Sequence, residues 1–485
     1  MWERAERPSR CGSADVEGSE DGCWGRKMTD GTGRIDLAQV AEQVLDLAKK
    51  QGADQAEVYL ERSSSTVVFV KDQAIENLTA SEVAGIGLRV LRGSSLGFGN
   101  TNRFDPDSLK RLVEDTIACA GASSEDEFNC FAEPELPPSS NGLRIFDERI
   151  RSVPLDTKIE RGFLLESSAR KFDARIKRSA YIVYADGVTE AAIYNSLGVG
   201  FKYSSSACQG VSWVAALDGS SVESGLSEGA STTFDGLDCD AIGRDAAKRA
   251  IALLGGKQLP SGTMSVLLDG RAAVEFLQFF AMLISADNVQ KKKSMLAGKL
   301  GSKIASSRVT ILDDGLLPGG LGTAPVDAVG VPHKQTAIVE DGVLKAFVHD
   351  CYTAKKGSTK STGNARRREG YKSPPAVGTT NFYVLAGSGS REDMLKEAGD
   401  GVLVTSIRGL FAGIDVSTGD FSIPAQGILV QGGKLAYPVK DFQISGNLFK
   451  MLSDVAIVGD TISWSSAGRF GTPDLLITEL NIAGR

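Results

Sequence analysis

TMSVLLDGRAAVEFLQFFAMLISADNVQKKK, residues 263–293, is the stretch that decides the fold of the second half of the chain. Residues 264–268 form an aliphatic run that predicts a short strand, and Asp269 and Gly270 mark a turn after it. The apolar positions that follow recur at helical spacing: Ala273, Leu277, Phe280 and Ile284. The stretch therefore predicts a strand that leads into an amphipathic helix with one buried face.

A strand followed by such a helix is a common place for a zinc peptidase to carry two histidines about one helical turn apart. The predicted helix contains neither histidine nor cysteine. The two histidines of the sequence, His333 and His349, are sixteen positions apart, and Gly342 lies between them, so they cannot pair on one helix. The seven cysteines are scattered, and the sequence has no C-x-x-C motif. The spacing of possible ligands therefore proposes no zinc site in this chain.

Composition limits the function classes further. A length of 485 residues predicts two or three domains, and the 55 glycines, with many Val, Ile and Thr runs, predict a β-rich protein with many hairpins. A net charge of −7 gives no electrostatic footprint for nucleic acid. An odd, dispersed set of cysteines favours a reducing compartment, and no apolar run is long enough to span a membrane. We expect a cytoplasmic protein that binds neither nucleic acid nor membrane.

The predicted fold class is α+β, with an N-terminal α/β layer domain and a larger β-rich C-terminal domain of antiparallel sheets with flanking helices. Residues 1–34 are predicted to be a disordered leader, and either Met1 or Met28 is the true start. Residues 35–125 form the predicted N-terminal domain. Residues 126–256 form a connector and a central region of β-meander and helix, and residues 257–485 form the C-terminal domain.

Turn signals divide the strands of the first half. Two runs, 55–61 and 65–71, are predicted as separate strands, and Asp186-Gly187 and Leu197-Gly198 as hairpin turns. Residues 218–236, rich in Ser and Gly, are predicted to be a break between elements. Residues 93–97 match the nucleophile pattern G-x-S-x-G, but poor helix formers follow, so we predict a hairpin turn there.

Two motifs of the second half suggest chemistry. Arg366, Arg367 and Arg368 lie in a long predicted loop, where their guanidinium groups could hold a peptide carboxylate or an acidic partner; an exposed basic loop without function is an equally good interpretation. His349 and Cys351 are predicted to share one face of a strand, which would make a thiol–imidazole pair. Since no third residue is in view to orient that pair, we favour a structural role for both.

Six blocks of the second half resemble the TldD/PmbA (TldE) metalloprotease family: 363–368, 378–383, 413–421, 437–440, 444–448 and 458–460. The resemblance extends over nearly all of the chain from about residue 35, including the strand at residues 85–90. The TldD type carries H-E-x-x-x-H directly after the V-L-L strand, and a cysteine near the C-terminus, as its zinc site. Here Asp269, Gly270 and Val274 occupy the three motif positions, and residues 463–473 contain no cysteine.

The chain therefore resembles the PmbA/TldE type, the subunit without metal. The resemblance implies a non-catalytic subunit that has no cofactor of its own, pairs with a zinc-bearing TldD-type subunit, and helps to degrade or mature small unfolded peptides. A homodimer is also possible. From the residues, we predict that an extended peptide pairs with an edge strand at Thr379, Thr380, Asn381 and Tyr383, near the arginine loop.

Two other functions stay open: an independent peptidase that uses Cys351 and His349 or an unrecognised metal site, and a regulator that binds a protein of the gyrase or toxin–antitoxin type.

Overall fold

A computed structural model describes residues 35–139 and 142–484. The predicted leader at residues 1–34 lies outside the described residues. The ten helices of the described ranges are α1 (Leu37–Lys50), α2 (Pro106–Ala122), α3 (Leu155–Phe172), α4 (Cys239–Ala252), α5 (Gly270–Leu283), α6 (Ala286–Gln290), α7 (Cys351–Lys356), α8 (Arg391–Ala398), α9 (Leu410–Gly413) and α10 (Leu448–Ser453).

The strands up to α5 are β1 (Gln55–Lys71), β2 (Ala74–Arg92), β3 (Ser95–Thr101), β4 (Ile176–Asn195), β5 (Gly200–Asp218), β6 (Ser221–Ser231), β7 (Lys257–Gln258) and β8 (Gly262–Leu268). Those after α5 are β9 (Ile311–Asp314), β10 (Gln335–Glu340), β11 (Val343–Leu344), β12 (Ala365–Arg366), β13 (Ala376–Val377), β14 (Phe382–Val384), β15 (Gly401–Ile407), β16 (Asp420–Gln431), β17 (Lys434–Asn447), β18 (Val455–Val458), β19 (Ser463–Trp464), β20 (Phe470–Thr472) and β21 (Leu475–Ala483).

One antiparallel sheet of six long strands, in the order β3-β2-β1-β4-β5-β6, organises the first half. The sheet crosses the predicted boundary at 125/126, because β1 pairs with β4 along most of its length. Alternate side chains of these strands point to one face, where α1 and α2 cover one half of the sheet and α3 and α4 cover the other half. Part of the opposite face packs on the C-terminal half of the chain, through Tyr59, Ile193, Val329 and Tyr371.

The second half is built on two sheets that share one core. A seven-stranded sheet has the order β18-β21-β8-β15-β16-β17-β7, and β17 also pairs with β21. A six-stranded sheet has the order β11-β10-β9-β14-β20-β19. Helix α5 lies in the shared core, where the ring of Phe276 packs on Phe421 and that of Phe280 stacks on Phe382. The predicted α+β class, and the strand and helix at residues 263–293, are confirmed.

Several predicted boundaries of the first half are wrong. The runs 55–61 and 65–71 belong to the single strand β1, β4 continues through Asp186 and Gly187, and the predicted break at 218–236 contains strand β6. The turn at Leu197 and Gly198 is confirmed, as is the hairpin at 93–97, where Gly93 adopts a φ of 57°. Gly97 lies against α2, and a Cβ atom there would be 2.1 Å from the Thr116 carbonyl oxygen.

No helix of the described ranges is long and apolar enough to cross a membrane.

Candidate functional site

A cleft of about 870 Å³ opens beside the N-terminal end of α5, between that helix and the sheet of the first half. Its walls come from β5, β6 and α4 on one side and from α5, β15 and β16 on the other. The residues that line it include Glu228, Asp245, Arg249, Asp269, Arg271, Val274, Glu275, Arg391 and Ser466. Two of the three motif positions, Asp269 and Val274, thus line the cleft.

Local sequence explains why Asp269 lies here. Its carboxylate Oδ1 accepts a hydrogen bond from the Arg271 backbone N–H at 3.0 Å, as an N-cap residue does, so α5 begins at the next residue. A second carboxylate, that of Asp474, accepts from the Gly270 backbone N–H at 2.8 Å. Two acidic groups at a helix N-terminus also suit the helix dipole.

Arginine side chains neutralise both carboxylates. The Nη2 atom of Arg391 donates to Asp269 Oδ2 at 3.0 Å, and its Nε atom donates to Asp474 Oδ2 at 2.6 Å. Arg249 Nη2 lies 3.6 Å from Asp269 Oδ2. Burial lowers the pKa of Arg391, but Asp474 and Asp269 outweigh it and raise the pKa overall.

A second ion pair joins the two walls of the cleft. The Nη2 atom of Arg271 lies 2.9 Å from Oδ2 of Asp245, which is a residue of α4, and the Nε atom of Arg249 lies 3.1 Å from the same oxygen. Burial raises the pKa of Asp245, yet the two arginines lower it overall. Burial and the charge of Arg249 lower the pKa of Arg271. We call Asp245, Arg249, Asp269, Arg271, Arg391 and Asp474 the ion-pair cluster.

The residues present do not fit a zinc ion of the H-E-x-x-x-H type. Asp269 is already held by a cap hydrogen bond and by arginine, and Val274 has no donor atom. At Gly270 a Cβ atom would lie 2.4 Å from the Thr472 carbonyl oxygen and 3.0 Å from Ser463 Oγ, so the backbone leaves no room for a glutamate. Among residues 35–139 and 142–484, no three His, Cys, Asp or Glu side chains are grouped so that they could hold a metal ion.

Sequence reasoning missed Arg391, although a signal was present. Arg391 is the first residue of α8, where Ser390 caps the helix and a cation is disfavoured by the helix dipole. A basic residue in that position is better explained by a distant acidic partner. Asp474 is 83 positions away in sequence, so nothing local identifies it.

The predicted peptide-binding residues do not line the cleft, and of these only the arginine segment reaches the contact between the two halves. Arg367 is buried, and its Nη2 atom donates to Glu57 Oε1 at 2.9 Å. Arg366 is half-buried and donates to the Thr379 carbonyl oxygen at 2.7 Å, while Arg368 is exposed. Contacts within the chain thus already occupy the guanidinium groups of Arg366 and Arg367.

The prediction of an edge strand at 379–383 is wrong, because β14 lies between β9 and β20 inside a sheet. Thr380, Asn381 and Tyr383 are buried, and so is Thr379. The Asn381 side chain holds the loop at 320–323, since it donates to Thr323 Oγ1 at 2.9 Å and accepts from the Gly322 N–H at 2.8 Å. These side chains have a structural role.

His349 and Cys351 do not share a strand, which corrects the predicted geometry. Strand β11 ends at Leu344, and Cys351 is the first residue of α7, capped by Asp350. The thiol packs among Tyr59, Val329 and their neighbours, and burial raises its pKa, with Asp327 adding to the rise. Burial also lowers the pKa of His349. A buried neutral thiol is a poor nucleophile.

Models of the PmbA/TldA metallopeptidases match successive parts of this chain. Domain 1 of the family matches residues 56–120, the central domain matches 140–254, and the C-terminal domain matches 261–484. The chain belongs to the PmbA/TldA metallopeptidase family. In this family member Asp269, the first of the three motif positions, belongs to the ion-pair cluster, while Gly270 donates its backbone N–H to Asp474 and Val274 lines the cleft.

Relatives of the family match almost end to end. The metalloprotease PmbA of Escherichia coli O157:H7 is 27% identical, over 93% of this chain and 96% of its own length. A PmbA homolog of Buchnera aphidicola is also 27% identical, over 93% of this chain and 97% of its own length.

Solved structures share the fold. A Thermotoga maritima protein, whose name proposes that it modulates a DNA gyrase, matches with a TM-score of 0.84 at 27% identity, over 92% of this chain and all of its own. TldE of Thermococcus kodakarensis matches with a TM-score of 0.85 over 92% of this chain and all of its own; at 23% identity this match concerns the fold alone.

Proposed function

We propose that this PmbA/TldA family member is a non-catalytic subunit of a peptidase, which pairs with a zinc-bearing TldD-type subunit and acts on small unfolded peptides. The observation that carries the proposal is at Gly270, where the zinc motif has its glutamate base and where the Thr472 carbonyl leaves no room for one. Hydrolysis of a peptide bond needs an activated water or nucleophile. The ion-pair cluster supplies neither, since its carboxylates are neutralised by arginines.

Supporting observations come from the rest of the chain. Burial keeps the Cys351 thiol protonated, which disfavours an independent cysteine peptidase. Every cysteine of the described residues is free, which agrees with a reducing compartment such as the cytoplasm. A partner subunit would then bring the zinc, and this chain would supply a wall of the peptide chamber.

The test is reconstitution with a metal-bearing sibling of the same organism. An unfolded, fluorogenic peptide is incubated with each purified chain and with the mixture, and cleavage is followed with and without a chelator. We expect no turnover by this chain alone, and chelator-sensitive turnover by the mixture that exceeds that of the sibling alone. Turnover by this chain alone, or one zinc per chain in metal analysis, would contradict the proposal.

Two further measurements address the other functions. Cys351→Ala is expected to leave the activity of the mixture unchanged, and a loss of activity would instead favour a role for the thiol. Size-exclusion chromatography distinguishes a complex with the sibling from a homodimer. A regulator of the kind that the Thermotoga maritima name proposes would bind a protein target without turnover of the peptide.

A further inference from the structure

One part of the first sheet is left uncovered by the described residues, next to the cleft. The side chains of Tyr181, Trp213 and Leu226 are 45%, 44% and 45% exposed. They lie side by side on β4, β5 and β6, because Tyr181 pairs with Trp213 and Trp213 pairs with Leu226. The ring of Phe69 on β1 extends the row, 5.7 Å from that of Tyr181. We call these four residues the apolar row.

The apolar row leads into the cleft, since Trp213 and Leu226 also line it. The volume of about 870 Å³ lies within the usual range of ligand sites, roughly 300–1,000 Å³. An exposed apolar surface that continues into a cleft of this size is typical of a binding surface.

The charges inside the cleft show which ligand it suits. All three arginines of the ion-pair cluster are matched by carboxylates. Glu275, one turn after Arg271 on α5, is half-buried and makes no hydrogen bond or ion pair with any residue that the structure describes. Burial raises its pKa, with no contribution from a neighbouring charge.

Every other charged group that lines the cleft has a partner or is exposed to solvent. Burial raises the pKa of Glu228, but Glu228 accepts a hydrogen bond from the Ser466 backbone N–H and interacts with the charge of Arg271. Lys248 and Arg408 line the cleft as well, and both are exposed to solvent. The half-buried, unmatched charge of the cleft is therefore negative.

A partly buried carboxylate without a partner costs free energy, and a cation placed beside it removes that cost. A cation carried on an apolar chain would also cover the apolar row, and its charge could lie over the Trp213 ring. These two requirements describe a peptide that has lysine or arginine among aromatic and aliphatic residues.

We propose that the cleft binds an extended peptide segment of this composition, with a lysine or arginine paired to Glu275 and apolar side chains on the apolar row. The inference rests on the proposed function in one respect, namely that peptides enter this subunit. It adds a role in selecting the peptides that a catalytic partner cleaves.

Direct binding to the isolated full-length chain tests the proposal. Three fluorescein-labelled decapeptides differ only at a central residue, Lys, Gln or Glu, flanked by Phe and Leu, and fluorescence anisotropy gives their dissociation constants. We expect the Lys peptide to bind about tenfold more tightly than the Gln peptide, which is the usual strength of a charge-assisted hydrogen bond. The Glu peptide should bind most weakly.

Matched variants locate the effect. Glu275→Gln should bring the Lys peptide to the affinity of the Gln peptide, whereas Glu114→Gln, an exposed position on α2, should change nothing. Trp213→Ser should weaken all three peptides together. Thermal unfolding of Glu275→Gln should show a fold at least as stable as that of the parent chain, since a half-buried, unpaired charge is removed.

Three results would overturn the proposal: equal affinities for the three peptides, tighter binding of the Glu peptide, or a Lys preference that survives in Glu275→Gln. A second copy of the chain seated on the apolar row would show as self-association abolished by Trp213→Ser and would also count against it. Failure of the reconstitution above leaves these binding constants unaffected, so the two proposals fail separately.

Discussion

At residue scale, Gly270 shows why substituting the H-E-x-x-x-H motif into residues 269–274 would not produce a zinc site. The helix begins at this residue, and the segment that ends at Thr472 packs directly on its Cα atom. Even alanine would place its Cβ 2.4 Å from a backbone oxygen, and backbone cannot move aside as a flexible side chain can.

Gly270→Ala is therefore expected to lower the free energy of unfolding by about 1–3 kcal/mol, the usual cost of overpacking. The matched control is Gly121→Ala in α2, where a Cβ meets no atom within 4 Å. That control should be neutral or stabilising by about 0.5–1 kcal/mol, because alanine favours helix. Urea unfolding followed by circular dichroism measures both, and equal effects of the two substitutions would refute the packing argument.

His333 gives the chain a dependence on pH. Burial, with a smaller contribution from Arg366, lowers its pKa from 6.5 to about 3. The folded state therefore binds fewer protons than the unfolded state between these values, and stability falls as the pH falls below 6.5. At pH 4 the free energy of unfolding is lower by about 3 kcal/mol because of His333.

His333→Asn should make the acid side of the stability curve less steep, and unfolding free energies at pH 7 and pH 4 measure the change. Asp313 and Asp327 act in the opposite sense, since burial raises their pKa values to about 6 and about 7. Their stabilisation is greatest at low pH and is lost as the pH rises through those values. Because both carboxyls stay in the variant, the difference between the two curves isolates His333; identical curves would mean that this imidazole does not titrate as argued.

At the scale of elements, the ion-pair cluster holds together α4, α5, α8 and the residue just before β21, around Asp269 at the N-terminus of α5. Arg391 contributes most, because its guanidinium reaches both Asp269 and Asp474. Its side chain is 47% exposed, which weakens each pair by solvent screening.

Arg391→Gln is expected to cost about 1–2 kcal/mol, more than an exposed pair and less than a fully buried one. A double-mutant cycle with Asp474→Asn should give a coupling of about 1 kcal/mol that decreases in high salt. The control cycle is Lys396 with Glu392 on the exposed side of α8, where we expect a clearly smaller coupling because solvent screens both charges. Equal coupling in both cycles would mean that the cluster has no special role.

Helices, strands and turns could be predicted from the sequence where neighbouring residues determine them. The predictions failed where contacts with residues distant in sequence determine the structure. The central strand and helix were predictable from apolar spacing alone. Gly187 looked like a turn, but a Cβ there would lie 2.9 Å from the Ser64 carbonyl oxygen, so glycine serves the close approach of β1. Asp186 beside it is buried and paired with Lys158, at 2.7 Å. Neither partner is visible from the sequence around the dipeptide.

Strand β6 was missed for a similar reason, since its glycines serve packing rather than turns. At Gly225 a Cβ would meet the Ala246 carbonyl oxygen of α4 at 2.1 Å. The candidate site followed the same rule: the motif positions Asp269, Gly270 and Val274 could be located by resemblance, whereas Arg249, Arg391 and Glu228 come from elements that are distant in sequence.

At the scale of the whole molecule, one buried group of charges joins the two halves. Glu57 of β1 accepts from Arg89 Nη2 at 2.6 Å and from Arg367 Nη2 at 2.9 Å. The side chains of Glu57 and Arg367 are 0% and 1% exposed. Arg367, one of the three arginines predicted to bind peptide, thus links the C-terminal half to the first sheet.

Glu57→Gln would leave two buried guanidinium groups without a counter-charge, and breaking such a group costs about 3–5 kcal/mol. We expect the loss to appear as weaker coupling between the halves as well as lower stability. Trp213 reports on the first half and Trp464 on the second, so each is followed in a background where the other tryptophans are Phe. In the parent chain the two urea transitions should coincide, whereas in Glu57→Gln they should separate.

The control is Glu76→Gln. Because the pair of Glu76 with Lys71 is exposed, this substitution should change neither curve. If the transitions of Glu57→Gln still coincide, the halves are held together by the apolar contacts around Tyr59 and Tyr371, and the buried charges add only stability.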